Sequence, residues 1–364
     1  MTAGRRALIL SGSIGMGHDT LAVACAAWLE GQGWSTESLD LMRLLGRGAG
    51  SAGNAVFRAM LAVPGLYDAY HFASLRTGNR LALATDAAAR RRVVPRLRAR
   101  LDAEPPDLVL SVFATAASAV SELAERYPGM RHVVFCTDAT PHRLWVHPGV
   151  DLYLVTSAVA EQAVRRFQPE ARVLVVPAPL RAEFYDPPSQ EDARRRLGLP
   201  ERERCVLLIS GAWGIGPVAQ AAEALAEADL NVLAVAGRNA GLEFRLRAAA
   251  RRQPRIRPFG YTDRIAELMA ASDLVITSSG DTCTEARTVG RPLLLLDVVQ
   301  GHGRDNLQHE LELGDAVVSS GRASDVVRVT MSALETVKPP SPGPTRSLAA
   351  WQGALTAALE TIGL

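Results

Sequence analysis

The stretch Ala7-Leu8-Ile9-Leu10-Ser11-Gly12-Ser13-Ile14-Gly15-Met16-Gly17-His18 decides how the rest of the chain reads. An apolar run enters a glycine-rich turn and leaves it as an alanine-rich helical segment, 18–31. Strand, turn and helix in that order bring backbone N–H groups at a helix N-terminus close to an anionic or polyhydroxyl ligand. The spacing G-x-x-G-x-G is not the dinucleotide order G-x-G-x-x-G, although Asp40 stands ~20 residues on, where a ribose-binding acid would sit.

The same alternation continues outward. ALILSGS (7–13), STESLDL (35–41), DLVLSVF (107–113), RHVVFCTD (131–138), DLYLVTS (151–157) and RVLVVPA (172–178) read as strands separated by helical segments, among them 157–167. Mostly apolar runs of this kind belong to parallel strands buried on both faces. VPAPLRAEFYDPPSQ carries four prolines between Pro177 and Pro188 and reads as a linker. The cycle then restarts with CVLLISG (205–211), LNVLAVAG (230–237), DLVITSS (273–279) and PLLLLD (292–297). The expected architecture is α/β: two doubly wound parallel-sheet domains, 1–180 and 191–344, joined by a linker at 181–190 and facing a ligand crevice. Residues 345–364 read as one last helix. Residues 46–76 form an apolar insertion containing Phe57, Met60, Leu61, Leu66 and Tyr67.

Composition narrows the function classes. With 364 residues the chain is long enough for two or three domains of roughly 100–200 residues. Forty basic against 38 acidic residues leave a net charge of +2, too balanced for a nucleic-acid footprint. No apolar run reaches the ~20 residues of a membrane span, which points to a cytoplasmic protein. The cysteines (Cys25, Cys136, Cys205, Cys283) show no paired spacing and read as buried small hydrophobes. Lys338 is the only lysine, which disfavours Schiff-base and Walker-type chemistry. Six arginines crowd residues 88–101, either a solvated helix face or, with the 46–76 insertion, a contact for an anionic membrane surface.

Several residues stand where such a fold places chemistry. His18 follows the first glycine turn at a helix start, where the dipole favours the uncharged imidazole suited to a general base. A capping or core histidine is the competing reading. Asp138, His142, His147 and Asp151 follow a strand end, in a spacing that matches no closed metal site. Gly211-Ala212-Trp213-Gly214-Ile215-Gly216-Pro217 repeats the glycine-turn arrangement in the second half. Gly237-Arg238-Asn239, Gly260-Tyr261-Thr262-Asp263 and Ser278-Ser279-Gly280-Asp281-Thr282-Cys283-Thr284-Glu285 follow later strands. Glu285 lies one turn into its helix, where a carboxylate accepts both hydroxyls of a ribose or serves the helix dipole.

Taken together these pieces resemble the group of monogalactosyldiacylglycerol synthases and processive diacylglycerol glucosyltransferases, in glycosyltransferase family 28. G-x-G-H is matched by Gly15, Gly17 and His18; a Pro-x-x-Tyr piece by Pro64, Tyr67 and Tyr70; T-D-x-x-x-H-x-x-W by Thr137, Asp138, His142 and Trp145. The second half matches with its G-x-G-P loop, the Gly237–Leu242 piece and the turn ending in Glu285. The resemblance implies a GT-B fold and inverting, metal-independent transfer from a nucleotide-sugar donor, a UDP-sugar, to a hydroxyl acceptor of diacylglycerol type, with no cofactor. By position it implies His18 and Asp138 as catalytic residues and Gly15, Gly17, Tyr67, His142 and Trp145 around the acceptor. The donor site would comprise Gly211, Gly214, Gly216, Arg238, Asn239, Tyr261, Ser279, Gly280, Asp281, Thr282, Glu285, Asp305 and Asn306. The protein would be cytoplasmic and peripheral on the membrane.

Two departures mark this chain. Ser278-Ser279-Gly280-Asp281 stands where the group shows a lysine before its glycine pair. Gln300-Gly301-His302-Gly303-Arg304-Asp305-Asn306 stands for a P-G-Q-E-x-x-N-like segment, with Arg304 or His302 as replacements for the missing charge. Other readings stay open: a soluble aglycone as acceptor, a UDP-sugar 2-epimerase-like reaction, a sugar-nucleotide sensor, or a nicotinamide-dependent oxidoreductase resting on Gly12, Gly15, Gly17 and Asp40.

Overall fold

The computed structural model describes residues 4–13, 17–46, 65–209, 216–340 and 347–364. Gly15, Gly211 and Gly214, and with them Phe57, Met60, Leu61 and Pro64, lie outside these residues. The chain divides into two compact units. One comprises Met1–Arg181, Gln300–His302 and Leu348–Leu364, the other Ala182–Val299 and Gly303–Ser347.

The first unit is built on strands β1 (Arg6–Ser11), β2 (Ser35–Asp40), β3 (Leu108–Ser111), β4 (Arg131–Phe135), β5 (Leu152–Val155) and β6 (Val173–Val175). All pair in parallel, in the order β2-β1-β3-β4-β5-β6. Each of the six apolar runs read from the first half of the sequence forms one of these strands. Its helices are α1 (Gly17–Gly31), α2 (Leu41–Leu44), α3 (Leu66–Tyr70), α4 (Arg80–Ala103), α5 (Ala114–Leu123) and α6 (Ala158–Phe167). The start of α4 is set by Asn79, whose side-chain oxygen accepts from the N–H groups of Leu81 and Ala82 at 3.0 and 3.1 Å. One stripe of α4, Val93, Leu97 and Leu101, is fully buried at helical spacing beneath Leu8, Leu10 and Val109 of the sheet. Its arginines divide: Arg90 pairs with Asp86 and Glu122, and Arg100 with Glu37 and Glu104, while Arg91, Arg92 and Arg98 are exposed.

The second unit carries β7 (Cys205–Ile209), β8 (Asn231–Val235), β9 (Ile256–Phe259), β10 (Leu274–Thr277), β11 (Leu293–Leu296) and β12 (Ala316–Ser319), in the order β12-β11-β10-β7-β8-β9, again parallel throughout. Its helices are α7 (Gln190–Leu197), α8 (Val218–Glu227), α9 (Ala240–Arg252), α10 (Ile265–Ala271), α11 (Asp281–Thr288), α12 (His302–Glu312) and α13 (Ala323–Thr336). The sequence reading gave ranges to four of these strands, implied β9 only as the strand ahead of Gly260, and missed β12. Both are four-residue edge strands with most of their side chains only partly covered, so neither shows a buried run. A last helix, α14 (Leu348–Glu360), lies in the first unit, where Trp351 packs 6.3 Å from Trp28 of α1. The four cysteines are free and buried.

Strand order fixes where polar residues converge. In a doubly wound sheet, ligands bind beyond the carboxyl ends of the strands where the order reverses. In the first unit that point lies between β1 and β3; in the second, between β7 and β10.

Candidate functional site

In the first unit the switch point brings together the segments that follow β1 and β3. Gly12 is required here by packing: a Cβ at this position would fall 2.5 Å from the Phe113 ring. With that space open, Phe113 meets the imidazole of His18 edge-on, ring centroids 5.3 Å apart, and Trp145 lies 6.2 Å from the same ring. His18 is the second residue of α1, and its Nδ1 is buried with no hydrogen-bond partner among the described residues. The Asp40 carboxylate accepts from the backbone N–H groups of Met42 (2.9 Å) and Ser13 (3.2 Å), so it caps α2 and steadies the glycine turn.

Asp138, just beyond β4, is the hub of the site. Its Oδ2 accepts the indole N–H of Trp145 at 2.8 Å and lies 3.9 Å from Nε2 of His142. Burial raises the Asp138 carboxyl, but the imidazoles of His142 and His302, the Trp145 N–H and His18 together outweigh it and hold the group below its ordinary range. His142 accepts the N–H of Leu144 on Nδ1 at 3.3 Å, which leaves the ring proton on Nε2, toward Asp138. Burial pulls His142 down to about 4, against the opposing pull of that carboxylate, so the ring is neutral at physiological pH.

Two further imidazoles complete the cluster, and sequence spacing did not place them there. The His71 ring is 6.3 Å from both His142 and His302. The Tyr67 hydroxyl is 3.0 Å from Nδ1 of His302. The segment carrying His302 is seated on α3 at two more points: the N–H of Gly65 donates to the side-chain oxygen of Gln300 (2.9 Å), and the N–H of Gly301 to Asp68 (2.5 Å). Gly301 adopts φ +64°, and a Cβ there would stand 2.3 Å from the Tyr67 ring, so only glycine fits. His302, read from sequence as a replacement for a missing charge beside the donor, thus lies with Tyr67 and Asp138. The chain has seven histidines; three of them (18, 142 and 302) act on the Asp138 carboxylate, and a fourth, His71, packs against two of these. Burial also holds the Tyr67 hydroxyl protonated, well above its usual range. His147 and Asp151 are engaged elsewhere, His147 Nε2 with the Leu144 carbonyl (2.7 Å) and Asp151 with the His132 N–H (2.7 Å) and Arg131.

In the second unit the residues beyond β10 open α11. Gly280 and Asp281 are exposed, Thr282 is half-buried, and Glu285 is buried one turn further on. Ser279 is buried and its hydroxyl donates to the Gly303 carbonyl at 2.8 Å. Asp305 and Asn306 sit half-buried in the first turns of α12. Gly216 adopts φ +96°, with Val298 3.2 Å from where a Cβ would be. Asn239 caps α9 by accepting from the N–H of Leu242 at 2.9 Å. The guanidinium of Arg238 lies 4.8 Å above the ring of Tyr261, both side chains being exposed, which makes a flat cationic platform.

Two Rossmann-like parallel-sheet units with polar residues gathered at both switch points define the GT-B class of fold. MurG of Acinetobacter baumannii superposes with a TM-score of 0.59 at 15% identity over 98% of this chain and all of its own. A putative UDP-N-acetylglucosamine 2-epimerase from Listeria monocytogenes superposes at 0.58, with 16% identity over 99% of this chain and 97% of its own. Residues 61–176 match the family model of monogalactosyldiacylglycerol (MGDG) synthase, and residues 216–323 that of the glycosyltransferase family 28 C-terminal domain. A processive diacylglycerol beta-glucosyltransferase of Bacillus cereus (strain AH187) is 30% identical over 61% of this chain and 58% of its own length. A probable chloroplastic monogalactosyldiacylglycerol synthase of Glycine max is 29% identical over 57% of this chain and 42% of its own. Over these residues the chain is similar to this group of family 28 glycosyltransferases, and it spans about half the length of the curated relatives it matches.

Proposed function

We propose that the chain is an inverting glycosyltransferase that moves a hexose from a UDP-sugar to the hydroxyl of a diacylglycerol-type lipid. The observation that carries this reading is the convergence of His18, His142, His302 and Asp138 at the switch point of the first unit. Inversion needs one in-line attack on the anomeric carbon and therefore one base to take the acceptor proton. His18 supplies it: its ring accepts the proton, and the neighbouring Asp138 carboxylate stabilises the imidazolium that results. His142 and the Trp145 N–H hold that carboxylate in place. The departing diphosphate gains its stabilisation from helix N-termini and backbone N–H groups in the second unit, with Glu285 on the ribose and the Arg238–Tyr261 platform under the uracil.

A lipid acceptor requires a way onto the membrane surface. Leu66, Leu81 and Leu83 are exposed on α3 and α4, and Arg91, Arg92 and Arg98 are exposed further along α4. Among the described residues no helix is long and apolar enough to cross a membrane. An interfacial contact with anionic lipid, on the face of a peripheral protein, fits both facts.

The test is direct. The full chain is incubated with radiolabelled UDP-glucose or UDP-galactose and diacylglycerol in mixed micelles, and the product's anomeric configuration is read by NMR. A β-linked glycolipid from an α-linked donor supports the proposal. An α-linked product overturns inversion, and conversion of UDP-N-acetylglucosamine alone, without acceptor, establishes the epimerase reading instead. Transfer only to a soluble aglycone removes the lipid acceptor.

A further inference from the structure

In the second unit, α11 and α12 lie side by side and run in the same direction. The crossovers β10-α11-β11 and β11-α12-β12 step the same way across the sheet, and right-handed crossovers then put both helices on one face. The side chains agree. At their N-terminal ends Ser279 is tied to Gly303 (2.8 Å), and two turns further along Arg287 of α11 is tied to Glu310 of α12. Parallel neighbours bring two positive dipole ends together, an arrangement that is repulsive until something negative is placed there. Their relative position therefore has to be held from behind.

Arg287 is built for that task. Its guanidinium is buried, yet it is fully employed: Nε and Nη2 grip Asp315, just ahead of β12, at 2.6–2.9 Å, and Nη1 reaches Glu310. Planar, forked recognition of two carboxylates is something arginine does and lysine does not. Taking these three charges out of water is a weak way to gain stability, because a well-packed apolar group would serve as well or better. What the ion cluster supplies, and an apolar patch does not, is a fixed direction between two helices.

We infer that Arg287 is a positioning residue that sets the spacing between the ribose side of the nucleotide-sugar site on α11, with Glu285, and the sugar side on α12, with Asp305 and Asn306. The inference rests on the donor reading above. It gives a task to a buried arginine in the last turn of α11, at the opposite end of the helix from Gly280 and Asp281. Glu310 governs the α12 side alone, whereas Asp315 ties Arg287 to the sheet edge.

The experiment is calorimetric titration of the full chain with UDP, UDP-glucose and UDP-galactose, together with KM and kcat, on the wild type, Glu310→Gln, Arg287→Met, Arg287→Lys and Asp315→Asn. Glu310→Gln is expected to leave UDP affinity within about twofold while weakening the sugar-bearing nucleotides about tenfold, a change of ~1.4 kcal/mol. KM for the donor rises accordingly, and kcat moves little. Arg287→Met shows the same imbalance, and Arg287→Lys recovers part of it through a single contact to Glu310. Asp315→Asn lowers Tm without changing the UDP-sugar to UDP affinity ratio. Folded Glu310→Gln and Arg287→Met variants with an unchanged ratio, or an equal loss in Asp315→Asn, overturn the inference while leaving the donor reading intact. A wild type that binds neither UDP nor its sugars overturns the donor reading and this inference with it.

Discussion

The two units share six parallel strands and a switch point, yet the polar groups gathered there are used in opposite ways. In the first unit, rings lean on rings: Phe113, Trp145, Tyr67 and four imidazoles pack against one another beside Asp138, and burial keeps the His142 ring neutral. In the second, hydroxyls, amides and carboxylates stand on helix starts, several of them half or fully open, such as Asp281, Asp305, Arg238 and Tyr261. On the proposed function, the difference is a division of labour. A desolvated cluster suits proton transfer, because a low-dielectric setting tunes acidity. An open set of helix ends suits recognition of a charged, hydroxylated ligand, which brings its own charge.

The strongest way to break this contrast is at His18. His18→Ala is expected to lower the transfer rate by roughly 10²–10⁴ while leaving UDP affinity and Tm close to wild type. An unchanged rate in a folded variant removes the base from the first unit and favours a sugar-nucleotide sensor.

Next comes acidity. His142 falls to about 4 and the buried His132 to about 3, from an ordinary 6.5. Below 6.5 the unfolded chain takes up protons that the folded chain refuses, so stability is complete above that pH and is lost as the pH falls through about 4. For His142 the loss amounts to on the order of 3 kcal/mol. Tm measured from pH 7 to pH 4 should drop more steeply for wild type than for His142→Gln; parallel curves would mean that burial does not set this ring's charge.

The second unit is tested by Glu285→Ala, expected to weaken UDP about tenfold, ~1.4 kcal/mol, without affecting the cluster around Asp138. Unchanged affinity by calorimetry takes Glu285 out of the site. The smallest effect concerns the seat of His302. Tyr67→Phe removes one hydrogen bond and should cost about 1 kcal/mol, read as a Tm lower by a few degrees, whereas an unshifted Tm would show the bond to be energetically idle.

Most of this architecture was legible because buried parallel strands leave unbroken apolar runs, as in Leu108–Ser111 and Leu293–Leu296. Edge strands leave a fainter trace: Ala316–Ser319, missed in the sequence, keeps three of its four residues at least partly open to solvent. The site divides on the same line. His18, Asp138, His142 and Trp145 follow strand ends in short, readable motifs. His71 and His302 reach Asp138's surroundings only through folding, since Tyr67 and His302 are 235 residues apart in the chain. Nothing local in the sequence announces such a meeting, although a chain this poor in histidine invites the question of where each one goes.

The pairing of Trp351 with Trp28 has a practical corollary. The amino-terminal lobe is not a contiguous stretch of the gene, because the chain comes home to it after the other lobe has been completed. A fragment ending at Arg181 would therefore carry a bare indole and a hole where a helix belongs. Anyone wishing to study that lobe in isolation would do better to graft 348–364 back through a flexible tether than to cut at a single bond.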